Sequence, residues 1–170
     1  MRLEDYIRDI PDFPKKGIIF KDITPLLMSP VALGEAVERI YDHFSDRGVS
    51  KVVAIESRGF IFGGPVALKL DAGFVPVRKP GKLPFKTRRR EYELEYGTDA
   101  LEIHVDGVCS GERVLIVDDL LATGGTAEAT GKLVEQCGAE VAGFAFVVEL
   151  AFLDGRSKLK GYDILSLIKY

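Results

Sequence analysis

Short apolar runs bounded by turn residues recur along the chain and divide it into strands and amphipathic helices. Leu3, Tyr6, Ile7 and Ile10 fall at helical spacing until Pro11 interrupts them. Ser29 and Pro30 suit the cap and first position of a stronger helix, with Leu33, Ala36, Val37, Ile40, Tyr41 and Phe44 on one face and Gly48 closing it. Lys51 to Ile55 reads as a strand that leads into the loop ESRGF; a helix follows near Phe60 to Leu70, its start blurred by Pro65. Phe74 to Val77, Arg113 to Val117, Val141 to Glu149 and Asp163 to Ile168 are further apolar strands, and Gly124 to Gly138 supplies another helix. Strands that alternate with helices predict an α/β fold built on a parallel sheet.

The segment from Arg78 to Asp99 breaks this rhythm. Arg78, Lys79, Lys82, Lys86, Arg88, Arg89 and Arg90 gather among Pro80, Gly81 and Pro84, and Glu91, Glu93 and Glu95 follow. It is too charged and too interrupted for core, so it reads as surface. A solvated loop and a mobile hood that carries cations over a polyphosphate both fit. A nucleic-acid patch fits less well, because few aromatics interleave with the bases and the adjoining acids cancel their field.

Composition narrows the setting. A chain of 170 residues with 46% apolar and 29% charged positions can bury a real core, and it shows no repeat, low-complexity tract or linker, so one domain spanning 1–170 is expected. A formal charge of −3 offers no general attraction to nucleic acid or to anionic membrane. The opening MRLEDYIRD lacks the apolar core of a signal peptide. The longest mostly apolar stretch, Ala142 to Leu153, is interrupted by Glu149 and falls short of the roughly 20 residues that span a bilayer. A soluble, cytoplasmic protein is expected. Cys109 and Cys137 have no metal-like spacing and read as buried, reduced thiols.

The most informative stretch is VLIVDDLLATGGT, from Val114 to Thr126. Its apolar run suits a strand buried on both faces, and Asp118 and Asp119 then stand at the carboxyl end, where open α/β sheets place their ligands. Adjacent carboxylates suit vicinal hydroxyls or a metal-bound sugar. The turn Ala122, Thr123, Gly124, Gly125, Thr126 lacks bulk, so main-chain N–H groups can approach an anion at the start of a helix. Phosphate at one end and hydroxyls at the other describe a ribose 5-phosphate. A capped strand–turn–helix would look similar, but a cap does not call for two consecutive Asp. A Walker loop lacks its Lys after Gly125, and GxGxxG is absent.

VLIVDDLLATGGT resembles the motif by which type I phosphoribosyltransferases bind 5-phosphoribosyl 1-pyrophosphate (PRPP), in the form carried by the adenine-specific members. PDFPKKGIIFKDITPLL, ESRGFIFG, RKPGKLPF, YELEYG and VVELAFLDGR resemble the same branch in the same order, so the likeness covers nearly the whole chain. It implies the type I phosphoribosyltransferase fold, a mostly parallel sheet flanked by helices with a flexible hood at about 78–99. It also implies transfer of phosphoribosyl from PRPP to adenine, giving AMP and pyrophosphate, with Mg²⁺ held largely by substrate oxygens rather than by a dedicated set of protein ligands. The likeness assigns Ala122 to Thr126 to the phosphate and Asp118 and Asp119 to the ribose, directly or through water and metal. Pyrophosphate falls to Arg58, Arg78, Lys79 and Lys82; Arg58 is the main candidate because a guanidinium forks onto phosphate oxygens, although pairing with Glu56 or a place at a helix cap would also suit it.

For adenine the likeness points to Ile19, Phe20 and Leu150, which also suit plain core, while Lys21 departs from the Arg of some relatives. Ala122 stands where relatives that use 6-oxopurines carry an Asp. Glu95 matches the proposed proton donor or acceptor for the purine nitrogens, with a surface strand carboxylate as the bland alternative, and Tyr96 would position the hood or the base. A cis peptide in the ESRG loop and a homodimer complete what the family implies. Two rival classes are a PRPP-sensing regulator, which usually adds a DNA-binding domain, and a plain phosphosugar enzyme, which would not explain the basic segment.

Overall fold

A computed structural model describes residues 1–94 and 97–170; Glu95 and Tyr96 lie outside the described residues. Five strands form the central sheet: β3 (Lys51–Ile55), β4 (Gly73–Val77), β7 (Arg113–Leu121), β8 (Glu140–Glu149) and β9 (Ile164–Lys169). They lie in the order β4-β3-β7-β8-β9, and every neighbouring pair is parallel. On one face pack α1 (Thr24–Met28), α2 (Pro30–Phe44) and α3 (Arg58–Lys69); on the other pack α4 (Gly125–Gln136) and the second strand of a hairpin, β5 (Thr87–Leu94) and β6 (Gly97–His104).

Alternation along the strands divides the core between these faces. Val52, Leu115, Val117, Ala145 and Val147 meet Ala36, Ile40, Phe44, Phe62 and Val66 on one side. Val53, Ile55, Val114, Ile116, Phe144 and Phe146 meet Leu101, Ile103, Leu133 and Val134 on the other. Coverage of both faces is why these strands are continuously apolar. Ser29 caps α2 by accepting from the Ala32 N–H at 3.2 Å. Within α3, Pro65 leaves the Ile61 carbonyl without its helical donor, and Ile61 is exposed, where water can serve instead.

The structure departs from the sequence pattern in four places. The N-terminal helical spacing yields only a 3-10 turn at Leu3–Tyr6; the chain then forms β1 (Arg8–Pro11), antiparallel to β2 (Ile19–Asp22). Four apolar residues are too few to sustain an isolated helix, whereas cross-strand pairs support the hairpin, Arg8 with Asp22 and Lys21 with Asp9, each at 2.7 Å. Asp22 also accepts from the Thr24 hydroxyl and N–H, and these bonds, with that from Arg8, lower its carboxyl to about 2.

The second departure is the charged segment, whose latter part is β5 paired with β6 from Thr87 opposite His104 to Leu94 opposite Gly97. Third, β7 runs on through both aspartates to Leu121. Its pairing with β3 stops at Val117 while pairing with β8 continues, so Asp118 lies within the strand and not beyond it. Last, Cys109 is exposed in the turn after β6, not buried; Cys137 is half-buried, and burial pushes its thiol up. No helix among the described residues is long and apolar enough to cross a membrane.

Candidate active site

The sheet order places a switch point between β3 and β7: from β3 the chain moves outward to β4, and from β7 it moves the other way to β8 and β9. Open α/β sheets bind ligands in the crevice outside the carboxyl ends of such strands. A cavity of about 420 Å³ opens there, lined by 55–58 from the end of β3 into α3, by 118–127 along β7 and into α4, and by Lys79, Tyr92 and Leu101.

Seven residues read from VLIVDDLLATGGT meet in this cavity, namely Asp118, Asp119 and Ala122 to Thr126. The bend is made by Gly124, whose φ of +87° is a left-handed conformation that glycine alone adopts freely. α4 begins at Gly125, so the first N–H groups of a twelve-residue helix, which lack intrahelical partners, stand beside the cavity. That is a seat for an anion.

The two carboxylates differ. Asp119 is nearly buried and accepts from Arg58 Nε at 2.5 Å. Asp118 accepts the Asp119 N–H at 2.9 Å and is approached by the first turn of α3, where a Cβ on Gly59 would stand 3.0 Å from its Oδ1. Burial, then the neighbouring Asp119 charge, raises the Asp118 carboxyl well above its ordinary value. Arg58, the first residue of α3, is held more firmly in its charged form by the bond to Asp119.

The cations of the basic segment converge on a different carboxylate. Glu56 accepts from Lys82 Nζ and from the Lys79 N–H, each at 2.7 Å, and lies 3.4 Å from Arg78 Nε. Burial opposes its ionisation, but these partners outweigh burial and keep its carboxyl below the ordinary value. The Lys79 ammonium pairs with Asp99. Glu102 fastens the same segment, accepting from the Gly81 N–H at 2.8 Å and the Thr87 hydroxyl at 2.7 Å. The Glu56–Ser57 peptide is cis. Of the pyrophosphate candidates, Arg58 and Lys79 line the cavity, whereas Arg78 and Lys82 reach it only through Glu56.

The adenine candidates lie off this cavity. Ile19 is 57% exposed, Phe20 packs edge-on against Phe13 at 5.2 Å, and Lys21 is paired with Asp9 and sits over the Tyr170 ring. Leu150 follows β8, and its N–H donates to Leu121 O beside the bend. Sequence reasoning missed Tyr92, whose ring would lie 3.5 Å from a Cβ on Gly125, and Gly155, whose carbonyl would lie 2.5 Å from a Cβ on Gly124. It also missed the ion pair of Glu149 with Arg156. Tyr92 carried a faint signal as an aromatic among charges.

Residues 29–164 match the model of the phosphoribosyl transferase domain family. An adenine phosphoribosyltransferase of Thermotoga petrophila is 60% identical over 170 residues, covering all of both chains, and one of Maridesulfovibrio salexigens is 58% identical over 99% of each. Among solved structures, the adenine phosphoribosyltransferase of Thermoanaerobacter pseudethanolicus superposes with a TM-score of 0.95 at 58% identity, covering 99% of this chain and 98% of that one. The Saccharomyces cerevisiae enzyme, solved with an imino-altritol bisphosphate and adenine, gives 0.91 at 42% identity, covering 97% and 96%.

Proposed function

The chain belongs to the phosphoribosyltransferase family, in its adenine-specific branch, and from that premise we propose how its residues divide the work of the reaction. The reaction is a purine-salvage step that moves the 5-phosphoribosyl group from PRPP to adenine, releasing pyrophosphate and giving AMP. Its transition state is a cation-like sugar, so charge placement dominates over covalent help. The observation that carries the assignment is that the aspartate pair, the glycine bend and Arg58 share one cavity at the switch point.

The 5-phosphate sits against the N–H groups of 122–126, and the ribose hydroxyls donate to Asp118 and Asp119. Arg58, Arg78, Lys79 and Lys82 receive the pyrophosphate. Because Glu56, Asp99 and Asp119 hold these cations in the described structure, pyrophosphate binding is an exchange of partners that costs less than stripping bare charges from water. Hard oxygen donors, two carboxylates beside a polyphosphate, fit Mg²⁺ held through substrate oxygens and water. When bound, the ion neutralises developing negative charge on the departing pyrophosphate.

Ile19, Phe20 and Leu150 enclose the adenine ring after the segment 78–99 closes as a hood over the cavity, which excludes water from the reactive sugar. Glu95 exchanges a proton with the purine nitrogens and Tyr96 positions hood or base, both assignments resting on the sequence YELEYG. The working form is a single-domain protomer in a cytoplasmic homodimer without nucleic-acid or membrane partners. Purified protein assayed with adenine, hypoxanthine, guanine and xanthine is expected to turn over adenine by preference, and Glu95→Gln to lose about 10²–10⁴-fold in kcat with the fold intact. Preferred use of a 6-oxopurine, or an unchanged Glu95→Gln rate, contradicts the assignment.

Asp118 makes a pH-dependent prediction. Below its unfolded value near 3.8 the carboxyl is protonated in both states and costs nothing. As pH rises, the unfolded chain ionises freely while the folded one resists, so stability is lost until the folded carboxyl has also titrated. Asp118→Asn keeps an oxygen for the Asp119 N–H and turns an amide toward the Asp119 carboxylate. Its melting midpoint is expected to match the parent well below pH 3.8 and to exceed it by a margin that grows as pH rises above that value, while PRPP turnover falls. A margin that is constant with pH, or negative, contradicts the account.

A further inference from the structure

We propose that the ion pair of buried Glu149 with half-buried Arg156 is a positioning device for the phosphate bend, acting through the backbone of Gly155; the proposal rests on the reading of 122–126 as the phosphate seat. Glu149 closes β8, opposite Leu121 of β7, and is only 4% exposed. Arg156 Nε donates to both of its carboxylate oxygens, at 2.8 and 3.0 Å, and its Nη2 reaches Ile164 O and Ser166 Oγ at 3.5 and 3.4 Å. One guanidinium thus ties the 3-10 turn at Gly155–Leu159 to β8 and β9.

Gly155, next to Arg156, meets the bend main chain to main chain, with the Leu121 side chain beside the contact. A Cβ on Gly155 would stand 2.4 Å from Ala122 O, and a Cβ on Gly124 would stand 2.5 Å from Gly155 O. Gly155 does not line the cavity while 122–125 do, so it backs the bend from the other side. A main-chain contact this close, with the Leu121 side chain packed beside it, leaves little room to adjust, so the position of Gly155 depends on its anchor. An ion pair with one partner buried and the other part-exposed adds little net stability, but its hydrogen bonds fix direction. Leu150 is held separately, by its N–H to Leu121 O and by the Ala151 N–H to Tyr170 O. The device therefore acts on the phosphate end of the site and not on the base end.

The test compares Arg156→Lys, Arg156→Met and the double variant Glu149→Gln/Arg156→Met by thermal unfolding and by KM for PRPP and for adenine. Arg156→Met strands a buried carboxylate and is expected to unfold at lower temperature, whereas the double variant removes that charge and recovers much of the midpoint. The KM for PRPP is expected to stay raised by about tenfold or more in the double variant, since misplacement by an ångström costs about a hundredfold. The KM for adenine is expected to remain within about twofold. Arg156→Lys, with charge but no fork, is expected to fall between. A folded double variant with the parental KM for PRPP, or both KM values rising together, overturns the proposal. Gly124→Ala, which displaces the bend itself, separates the premise: if it too folds and leaves the KM for PRPP unchanged, the phosphate reading fails and takes the device with it; if it raises that KM or abolishes transfer while the folded double variant does neither, the device alone fails.

Discussion

Gly124→Ala is expected to abolish measurable phosphoribosyl transfer and to weaken the fold at the same time. The residue sits at φ +87°, where an L side chain costs about 1–2 kcal/mol. The new methyl would also stand 2.5 Å from Gly155 O, which is main chain and cannot swing aside as a flexible side chain would. Relief requires the bend or the 155 turn to move, a strain of about 1–3 kcal/mol. The combined loss is on the order of 2–5 kcal/mol in denaturant unfolding. Because the part that moves is the wall of the phosphate seat, kcat/KM for PRPP is expected to drop about a hundredfold or more. Stability lost with kcat/KM retained would separate the bend from the reaction.

Arg58→Ala shows the opposite balance, a large loss of rate with little loss of fold. Its guanidinium is bound to Asp119 at 2.5 Å, but the arginine side chain is 49% exposed against 11% for the aspartate. Solvent screens the arginine end of that pair, but the truncation leaves the buried Asp119 carboxylate without its partner, so the cost in unfolding is expected to be about 1–2 kcal/mol. The reaction loses a charge aimed at the departing pyrophosphate, and removal of one such donor typically costs about 10²–10³-fold in kcat. Arg58→Lys keeps the charge without the fork and is expected to recover part of the rate. A kcat unchanged in a folded Arg58→Ala protein would remove this residue from pyrophosphate stabilisation.

How much the sequence disclosed follows from how local each feature is. The strand at Lys51–Ile55 coincides with its apolar run, and Ser29–Pro30 mark the start of α2, because a strand buried on both faces and a capped amphipathic helix each write their burial into consecutive residues. The β5–β6 hairpin was hidden because TRRREYEL turns charge to solvent, while the apolar contribution comes from Leu101 and Ile103 on the partner strand. The continuation of β7 through Asp118 depends on its pairing with β8, opposite Phe146, Val148 and Glu149, which no residue of β7 encodes. Of the site, the aspartate pair and the glycine bend were legible as one contiguous motif. Glu56 as a hub, Gly155 as a backing and Arg156 as an anchor arise from tertiary contact between segments with no shared periodicity.

The central claim is that the bend at Gly124 and the pair Asp118–Asp119 hold the two ends of a ribose 5-phosphate. A crystal structure of the protein with AMP tests it most directly. The account predicts phosphate oxygens within about 2.7–3.2 Å of main-chain nitrogens in 122–126 and ribose hydroxyls on the two carboxylates. AMP lodged elsewhere, with the bend free of its phosphate, would contradict it.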